Sequence, residues 1–145
     1  MDLTELYQEI VLDHYRRPRG SARLDHIPQA KAHENPTCGD SIKVEALPGP
    51  DGRLQVRFEA HGCAISTASA SMMSERLQGS SAQEARETAL EFLRILRGER
   101  QADDLDQWGD LASLKGVLRL PLRVKCATLA WHALLDNLPP EHRPI

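Results

Sequence analysis

The sequence predicts an α+β fold in which a small antiparallel β-sheet has helices packed on one face. Residues 42–46 and 54–60 alternate apolar and polar side chains, which is the period of a half-buried strand. The segment between them, Pro48-Gly49-Pro50-Asp51-Gly52, is dense in turn-forming residues and predicts a hairpin. Most of the remaining apolar residues recur every three or four positions, which indicates helices. Because an isolated hairpin is not stable in water, we expect the helices to cover its apolar face.

The first predicted helix covers residues 3–15, with Asp2 as its candidate N-cap and with Pro18 and Gly20 as the residues that stop it. His14 lies on the apolar stripe of this helix, which favours a hydrogen-bonded core histidine over a metal ligand. The segment from Gly20 to Pro36 shows no period and is predicted to be irregular.

Four further helices are predicted after the hairpin. They cover residues 64–78, the segment from the Ser81-Ala82-Gln83-Glu84 capping box to Gly98, residues 111–115 and residues 121–138. Met72 and Met73 are interpreted as core side chains. The stretch from Gln101 to Asp110 carries four aspartates and is predicted to be a solvated connection. We find no repeat or domain boundary, so residues 1–145 are expected to form a single domain.

The charge balance argues against a nucleic-acid-binding protein. The 145-residue chain has 18 Lys and Arg against 21 Asp and Glu, a formal net charge of −3, whereas binding to a phosphate backbone favours a basic excess. Arg16, Arg17 and Arg19 follow the first predicted helix, where cations complement the helix dipole. Docking of an acidic partner is the alternative interpretation of these arginines.

The sequence also argues against a membrane protein. It has no run of about 18 uncharged apolar residues, the length that a transmembrane helix needs. The first five residues, Met1-Asp2-Leu3-Thr4-Glu5, are acidic and unlike a secretory signal. We therefore expect a cytoplasmic protein.

Three cysteines, Cys38, Cys63 and Cys126, carry the strongest chemical signal. Their odd number argues against a disulfide framework, and none belongs to a C-x-x-C pair. Scattered cysteines are most simply interpreted as small buried apolar residues. Each of these, however, lies at the end of a predicted element beside Gly, Thr or Lys, where reactive thiols are common.

The three cysteines and Asp40 can form one metal site. Cys38 and Asp40 are two residues apart at the start of the first strand, so both side chains can leave the same face. Cys63 lies between the second strand and a helix, and Cys126 lies in the first turns of the last helix. Three thiolates and a carboxylate suit zinc, and three thiolates also suit iron–sulfur chemistry. Spacing alone leaves both metals and a plain structural role open.

Four segments resemble the SufU/IscU family of iron–sulfur cluster assembly proteins (NifU N-terminal-like). They are Asp13-His14-Tyr15-Arg16-Arg17-Pro18-Arg19, Asn35-Pro36-Thr37-Cys38-Gly39-Asp40, Gly62-Cys63-Ala64-Ile65-Ser66 with its continuation to Met73, and Lys125-Cys126-Ala127-Thr128-Leu129-Ala130-Trp131. They occur in the family's order, and the resemblance extends over nearly the whole chain, from about residue 3 to 136. It implies the family's α+β fold.

Two departures indicate the SufU-type branch of this family. IscU scaffolds carry a histidine directly before the third cysteine, where this chain has Lys125. They also carry a Leu-Pro-Pro-Val-Lys segment, where this chain reads Leu120-Pro121-Leu122-Arg123-Val124-Lys125. In addition, the stretch from Gly98 to Gly116 is similar to the extra segment of SufU-type members.

The resemblance implies a zinc site formed by Cys38, Asp40, Cys63 and Cys126. It also implies that Cys38 accepts sulfane sulfur from the persulfide of a pyridoxal-phosphate-dependent cysteine desulfurase (SufS-like). A desulfurase histidine would first replace Cys38 on zinc, and the sulfur would then pass to downstream iron–sulfur assembly proteins. Sulfurtransferase activity is expected only together with the desulfurase. A scaffold for an iron–sulfur cluster, with iron in place of zinc, and a structural zinc domain are the alternatives.

Three residues near the cysteines have more than one interpretation. Asp40 can be a ligand or a turn residue. Arg123 can steer the anionic persulfide or act on Cys126, or it can be a surface residue of the last helix. His61 can be an alternative ligand, although a solvent-facing histidine at a strand end is the simpler interpretation.

Overall fold

Helices pack against a three-stranded sheet in the part of the chain that the computed structural model describes, residues 3–24, 33–35 and 39–139. In chain order the elements are α1 (Leu3–Arg16), β1 (His33–Asn35), β2 (Asp40–Pro48), β3 (Leu54–His61), α2 (Ala64–Leu77), α3 (Ala82–Leu96), two 3-10 helices (Ala102–Gln107 and Gly109–Arg119) and α4 (Pro121–Asn137). No helix in these ranges is long and apolar enough to cross a membrane. The predicted N-cap, Asp2, lies outside them.

The predicted hairpin forms the centre of the sheet. β2 pairs antiparallel with β3, and Val44 faces Phe58 across the pair. Both side chains are fully buried, because alternate residues of each strand point toward the helices. α4 packs on β2 and α2 packs on β3, so the prediction of an α+β fold with a helix-covered hairpin is confirmed.

The prediction of an irregular segment from Gly20 to Pro36 is wrong in two places. His33–Asn35 pairs antiparallel with β2 as strand β1, and Ser21 forms a parallel bridge with Phe58 of β3. The Ala22 N–H donates to the Phe58 carbonyl at 2.8 Å. These contacts join backbone groups, which pair whatever the side chains are, and this is why the apolar pattern of the sequence did not reveal them.

α2 is the central helix, and nine of its 14 residues are buried. Its serines and alanines are small enough to let α1, α4 and β3 approach closely. The buried hydroxyls are satisfied, since Ser69 donates to the Ala127 carbonyl at 2.6 Å and Ser74 to the Val56 carbonyl at 2.9 Å. Met72 and Met73 are buried, which confirms them as core side chains.

α3 begins where the sequence predicts. The Ser81 hydroxyl accepts a hydrogen bond from the Glu84 N–H at 3.1 Å, which satisfies one of the free donors at the helix start. The ring of Phe92, on the buried face of α3, stacks on Trp131 of α4 with the centroids 4.1 Å apart. This contact ties the two helices together.

The connection from Gln101 to Asp110 is largely exposed to solvent, as predicted, but it is also helical: it contains the first of two consecutive 3-10 helices and the start of the second. The short helix predicted at residues 111–115 is part of the second of these, which ends at Arg119. A 3-10 helix has three residues per turn, so side chains three apart share one face. The apolar residues do recur at this spacing, and they are buried or half-buried: Leu105, Trp108, Leu111, Leu114 and Val117.

His14 links three elements of the fold. Its ring is fully buried, with Nδ1 2.7 Å from the Ser71 hydroxyl of α2 and Nε2 2.8 Å from a carboxylate oxygen of Asp110. The interpretation as a hydrogen-bonded core histidine is confirmed. Nearby, the Arg19 guanidinium pairs with Asp13 at 2.8 Å and with Glu75 at 3.5 Å, so this arginine is engaged within the fold.

Candidate metal centre

The ends of three elements meet around a carboxylate and two thiols. Asp40 is the first residue of β2, Cys63 is the N-cap of α2, and Cys126 lies in the second turn of α4. One donor atom from each of these residues lies within 4.8 Å of the others. The fourth predicted ligand, Cys38, lies outside the described residues, two positions before Asp40.

Asp40 is almost completely buried, with 1% of its surface exposed. Its Oδ1 accepts the Cys63 backbone N–H at 2.7 Å, and its Oδ2 accepts the Ser66 hydroxyl at 2.6 Å. The Cys63 thiol lies 3.5 Å from Oδ2. Burial by itself would raise the pKa of this carboxyl. The hydrogen bonds from Ser66, from the Cys63 backbone and from the Cys126 and Cys63 thiols outweigh burial and hold the pKa below its usual value.

Gly62 leaves the space that brings this carboxylate to the start of α2. Its φ is +150°, a conformation that side chains disfavour. A Cβ at this position would overlap Oδ1 of Asp40 and lie 2.8 Å from the Asp40 Cα. Only glycine therefore lets β2 and the β3–α2 junction approach this closely.

The two thiols differ in exposure. Cys126 is fully buried, and its Sγ lies 4.0 Å from the Leu122 carbonyl oxygen one turn earlier in α4. Cys63 is partly buried and has its Sγ 3.6 Å from the Ser66 hydroxyl. In the described residues, solvent therefore reaches the centre on the side of Cys63, whereas the protein encloses Cys126.

The donor set fits a metal ion that prefers sulfur ligands. Tetrahedral zinc with bonds of about 2.3 Å to sulfur keeps neighbouring sulfur ligands roughly 3.8 Å apart, and the donors here lie within 4.8 Å of one another. The separations of the donors therefore exceed those of a bound zinc ion by at most about 1 Å. The same thiolates are also competent to bind iron.

The other residues singled out in the sequence lie around this centre. Arg123 is exposed in the first turn of α4, three residues before Cys126. The His61 side chain is 75% exposed and lies 3.4 Å from Glu59, which confirms the interpretation as a solvent-facing histidine. Sequence analysis assigned no role to Gly62 or Ser66, although both lie in the segment around Cys63 that carries the family resemblance.

A second group of donors, His14, Glu75 and Asp110, also lies within 4.8 Å of one another. Both ring nitrogens of His14 are hydrogen-bonded, and Arg19 pairs with Glu75. Through these contacts the three residues form a polar link between α1, α2 and the second 3-10 helix.

Comparison with known proteins supports the sequence resemblance. Residues 6–135 match the NifU-like N terminal domain family. The zinc-dependent sulfurtransferase SufU of Bacillus subtilis is 38% identical over 133 residues, which are 92% of this chain and 89% of the relative. The iron–sulfur cluster assembly scaffold protein IscU of Streptococcus pyogenes is 39% identical over 136 residues, 94% of this chain and 84% of the relative.

A solved structure shows the same fold. The crystal structure of an iron–sulfur cluster assembly scaffold protein for the SUF system from Fervidobacterium islandicum superposes with a TM-score of 0.75 at 28% identity, over 95% of this chain and 100% of that chain. The resemblance to the SufU/IscU family is thereby confirmed. Because the family model matches residues 6–135 and the relatives are similar over more than 90% of the chain, the chain belongs to the NifU-like N-terminal domain family.

Proposed function

We propose that this chain is an iron–sulfur cluster assembly protein that receives sulfur from a cysteine desulfurase and passes it to downstream assembly proteins. The observation that carries the proposal is the buried carboxylate of Asp40 beside the thiols of Cys63 and Cys126, with donors within 4.8 Å of one another. The similarity to a zinc-dependent sulfurtransferase over 92% of the chain supports it. We also propose that residues 1–145 act as a single domain and that the protein works in the cytoplasm.

Cys38, Asp40, Cys63 and Cys126 are the proposed zinc ligands. Zinc, when bound, keeps coordinating thiols deprotonated at neutral pH, whereas a free thiol with a pKa near 8.5 is mostly protonated there. Asp40 supplies a carboxylate that its hydrogen bonds keep charged. Cys63 and Cys126 extend from the starts of two separate helices, so the fold itself sets their separation.

Cys38 is the proposed sulfur acceptor. Its thiolate attacks the outer sulfur of the desulfurase persulfide, so that a new bond forms between Cys38 Sγ and that sulfur. The sulfur–sulfur bond of the donor breaks, and the electron pair leaves with the desulfurase cysteine as a thiolate. No external oxidant is needed, because the oxidation level of the transferred sulfur is unchanged. Arg123 is a candidate for steering the anionic persulfide toward this position.

A scaffold on which an iron–sulfur cluster is assembled is the second candidate. The 39% identity to an IscU scaffold protein over 94% of the chain favours it, and three thiolates suit cluster ligation. Lys125 next to Cys126 is the sequence feature that argues against it, because the scaffold branch has a histidine there.

Metal content tests the two candidates directly. We expect about one zinc ion per chain after anaerobic purification without added metal, and less zinc when Asp40 or Cys126 is replaced by alanine. The zinc-bound chain should also increase the rate at which a cysteine desulfurase releases alanine from cysteine. Iron with acid-labile sulfide would instead favour the scaffold. If the chain still stimulated the desulfurase without metal, the proposed role of the zinc site would be contradicted.

Two exposed leucines next to the centre offer a surface on which the desulfurase can dock. Leu120 and Leu122 are 53% and 64% exposed, and the Leu122 carbonyl oxygen lies 4.0 Å from Cys126 Sγ. Contiguous exposed apolar surface marks protein contacts, and we propose that these two leucines, which are two residues apart, belong to such a surface. A partner that delivers sulfur to this centre would cover them.

Replacing Leu122 with serine should raise, by roughly tenfold, the concentration of this chain that gives half-maximal stimulation of the desulfurase. Leu47→Ser is the matched control, because Leu47 is 52% exposed but lies at the opposite end of β2 from Asp40. Zinc content should stay unchanged in both variants. Equal behaviour of the two serine variants would contradict docking at this surface.

A further inference from the structure

We propose that Ser66 is a positioning residue that holds the Asp40 carboxylate in the orientation needed for metal binding. This inference rests on the proposed function, in which Asp40 is a zinc ligand. Ser66 contacts the centre through its hydroxyl and is 1% exposed. It lies in the first turn of α2, three residues after Cys63.

The hydroxyl of Ser66 has one proton to donate, and the geometry assigns it to Asp40. Its distance to Oδ2 is 2.6 Å, whereas its distance to the Cys63 sulfur is 3.6 Å. A hydroxyl-to-carboxylate bond of this length is at the short, charge-assisted end of the range. Ser66 therefore donates to the carboxylate and is left with lone pairs toward the sulfur.

The two oxygens of Asp40 are held from the same turn of α2. The Cys63 N–H holds Oδ1 at 2.7 Å, and the Ser66 hydroxyl holds Oδ2. Two bonds to different oxygens fix the plane of a carboxylate, whereas one bond leaves it free to rotate. Each oxygen also keeps a lone pair that these bonds do not use, so the carboxylate is fixed and still able to bind a metal ion.

Loss of the Ser66 hydroxyl should weaken metal binding while the fold persists. Partners that orient a metal ligand typically contribute 10- to 100-fold in affinity, and we expect Ser66→Ala to weaken zinc binding by about tenfold in a chelator competition. Alanine favours a helix more than serine does, so the backbone of α2 is not put at risk. Cobalt(II) titration followed by its visible absorption gives a second readout of the same site.

Ser74→Ala is the matched control. Ser74 is also a buried serine of α2, and its hydroxyl donates to the Val56 carbonyl at 2.9 Å. Its removal also takes one side-chain hydrogen bond from α2, more than two turns away from Ser66 and without a carboxylate partner. We expect zinc affinity in this variant to equal that of the unaltered chain.

A double-mutant cycle with Asp40 separates positioning from a general structural role. In an Asp40→Ala background, Ser66→Ala should cause no further loss of zinc or cobalt affinity, because its partner is gone. Ser66→Thr and Ser66→Val form a second pair of nearly equal shape, in which a methyl group of valine replaces the hydroxyl of threonine, and only the threonine variant should retain the affinity.

The outcomes distinguish this inference from the proposed function. Equal zinc affinity in Ser66→Ala and the unaltered chain would overturn the role of Ser66, as would an equal loss in the presence and absence of Asp40. An unaltered chain that binds neither zinc nor cobalt would instead overturn the zinc site itself and, with it, the role of Ser66 toward that metal.

Discussion

Replacing Cys38 with alanine should abolish sulfur acceptance while the fold is retained. In the proposed reaction Cys38 provides the only atom that bonds to the transferred sulfur, so its loss removes the reaction path rather than weakening it. We expect stimulation of the desulfurase to fall by at least about 100-fold. Alkylation followed by mass spectrometry, after incubation with desulfurase and cysteine, should find a persulfide on Cys38 in the unaltered chain and none in the variant.

Cys126→Ala is the informative control for this prediction. Both variants lose one thiol of the proposed site, so both should bind zinc less tightly. Only Cys38→Ala should lose the acceptor itself, and a persulfide should still be detectable on Cys38 when Cys126 is replaced. Transfer of sulfur to the Cys38→Ala chain, or a persulfide found on Cys63 in the unaltered chain, would show that the acceptor is a different cysteine.

The regular elements were predictable because their side chains carry a period. The alternation around Val44 and Phe58 predicted the hairpin, and the buried face of α3 follows the three-to-four-residue spacing of its apolar side chains. The 3-10 helices also carry a period, the three-residue spacing from Leu105 to Val117, but a search for helix and strand periods detected only the part at residues 111–115. Strand β1 has only three residues and no such signal, and its pairing with β2 joins backbone groups, which every residue type carries.

The candidate site was predictable only in part, for a similar reason. Asp40, Cys63 and Cys126 could be singled out because their types are chemically distinctive and they occur at the ends of elements. The distances between them, and the contacts that hold Asp40, depend on how β2 meets the start of α2. Ser66 and Gly62 are common residue types, so their roles became visible only when this junction was seen in three dimensions.

Replacing Gly62 with alanine should damage both the metal site and the stability of the protein. The added Cβ would overlap the Asp40 carboxylate, and φ at this residue is +150°, so the backbone strain and the collision act together. Backbone strain of about 1–3 kcal/mol and overpacking of about 1–3 kcal/mol predict a loss of about 2–6 kcal/mol in the free energy of unfolding. Zinc affinity should fall by at least about 100-fold, since the residue displaced is itself one of the proposed ligands.

Gly79→Ala separates the collision from the backbone strain. Gly79 has φ of +79°, but no atom lies within 4 Å of the position its Cβ would take. This variant should lose about 1–2 kcal/mol of stability from backbone strain and keep its zinc affinity, as measured by urea unfolding and chelator competition. If Gly62→Ala matched Gly79→Ala in both measurements, the β3–α2 junction would have to relax without moving Asp40. The close approach of Gly62 would then not be what holds the carboxylate beside Cys63.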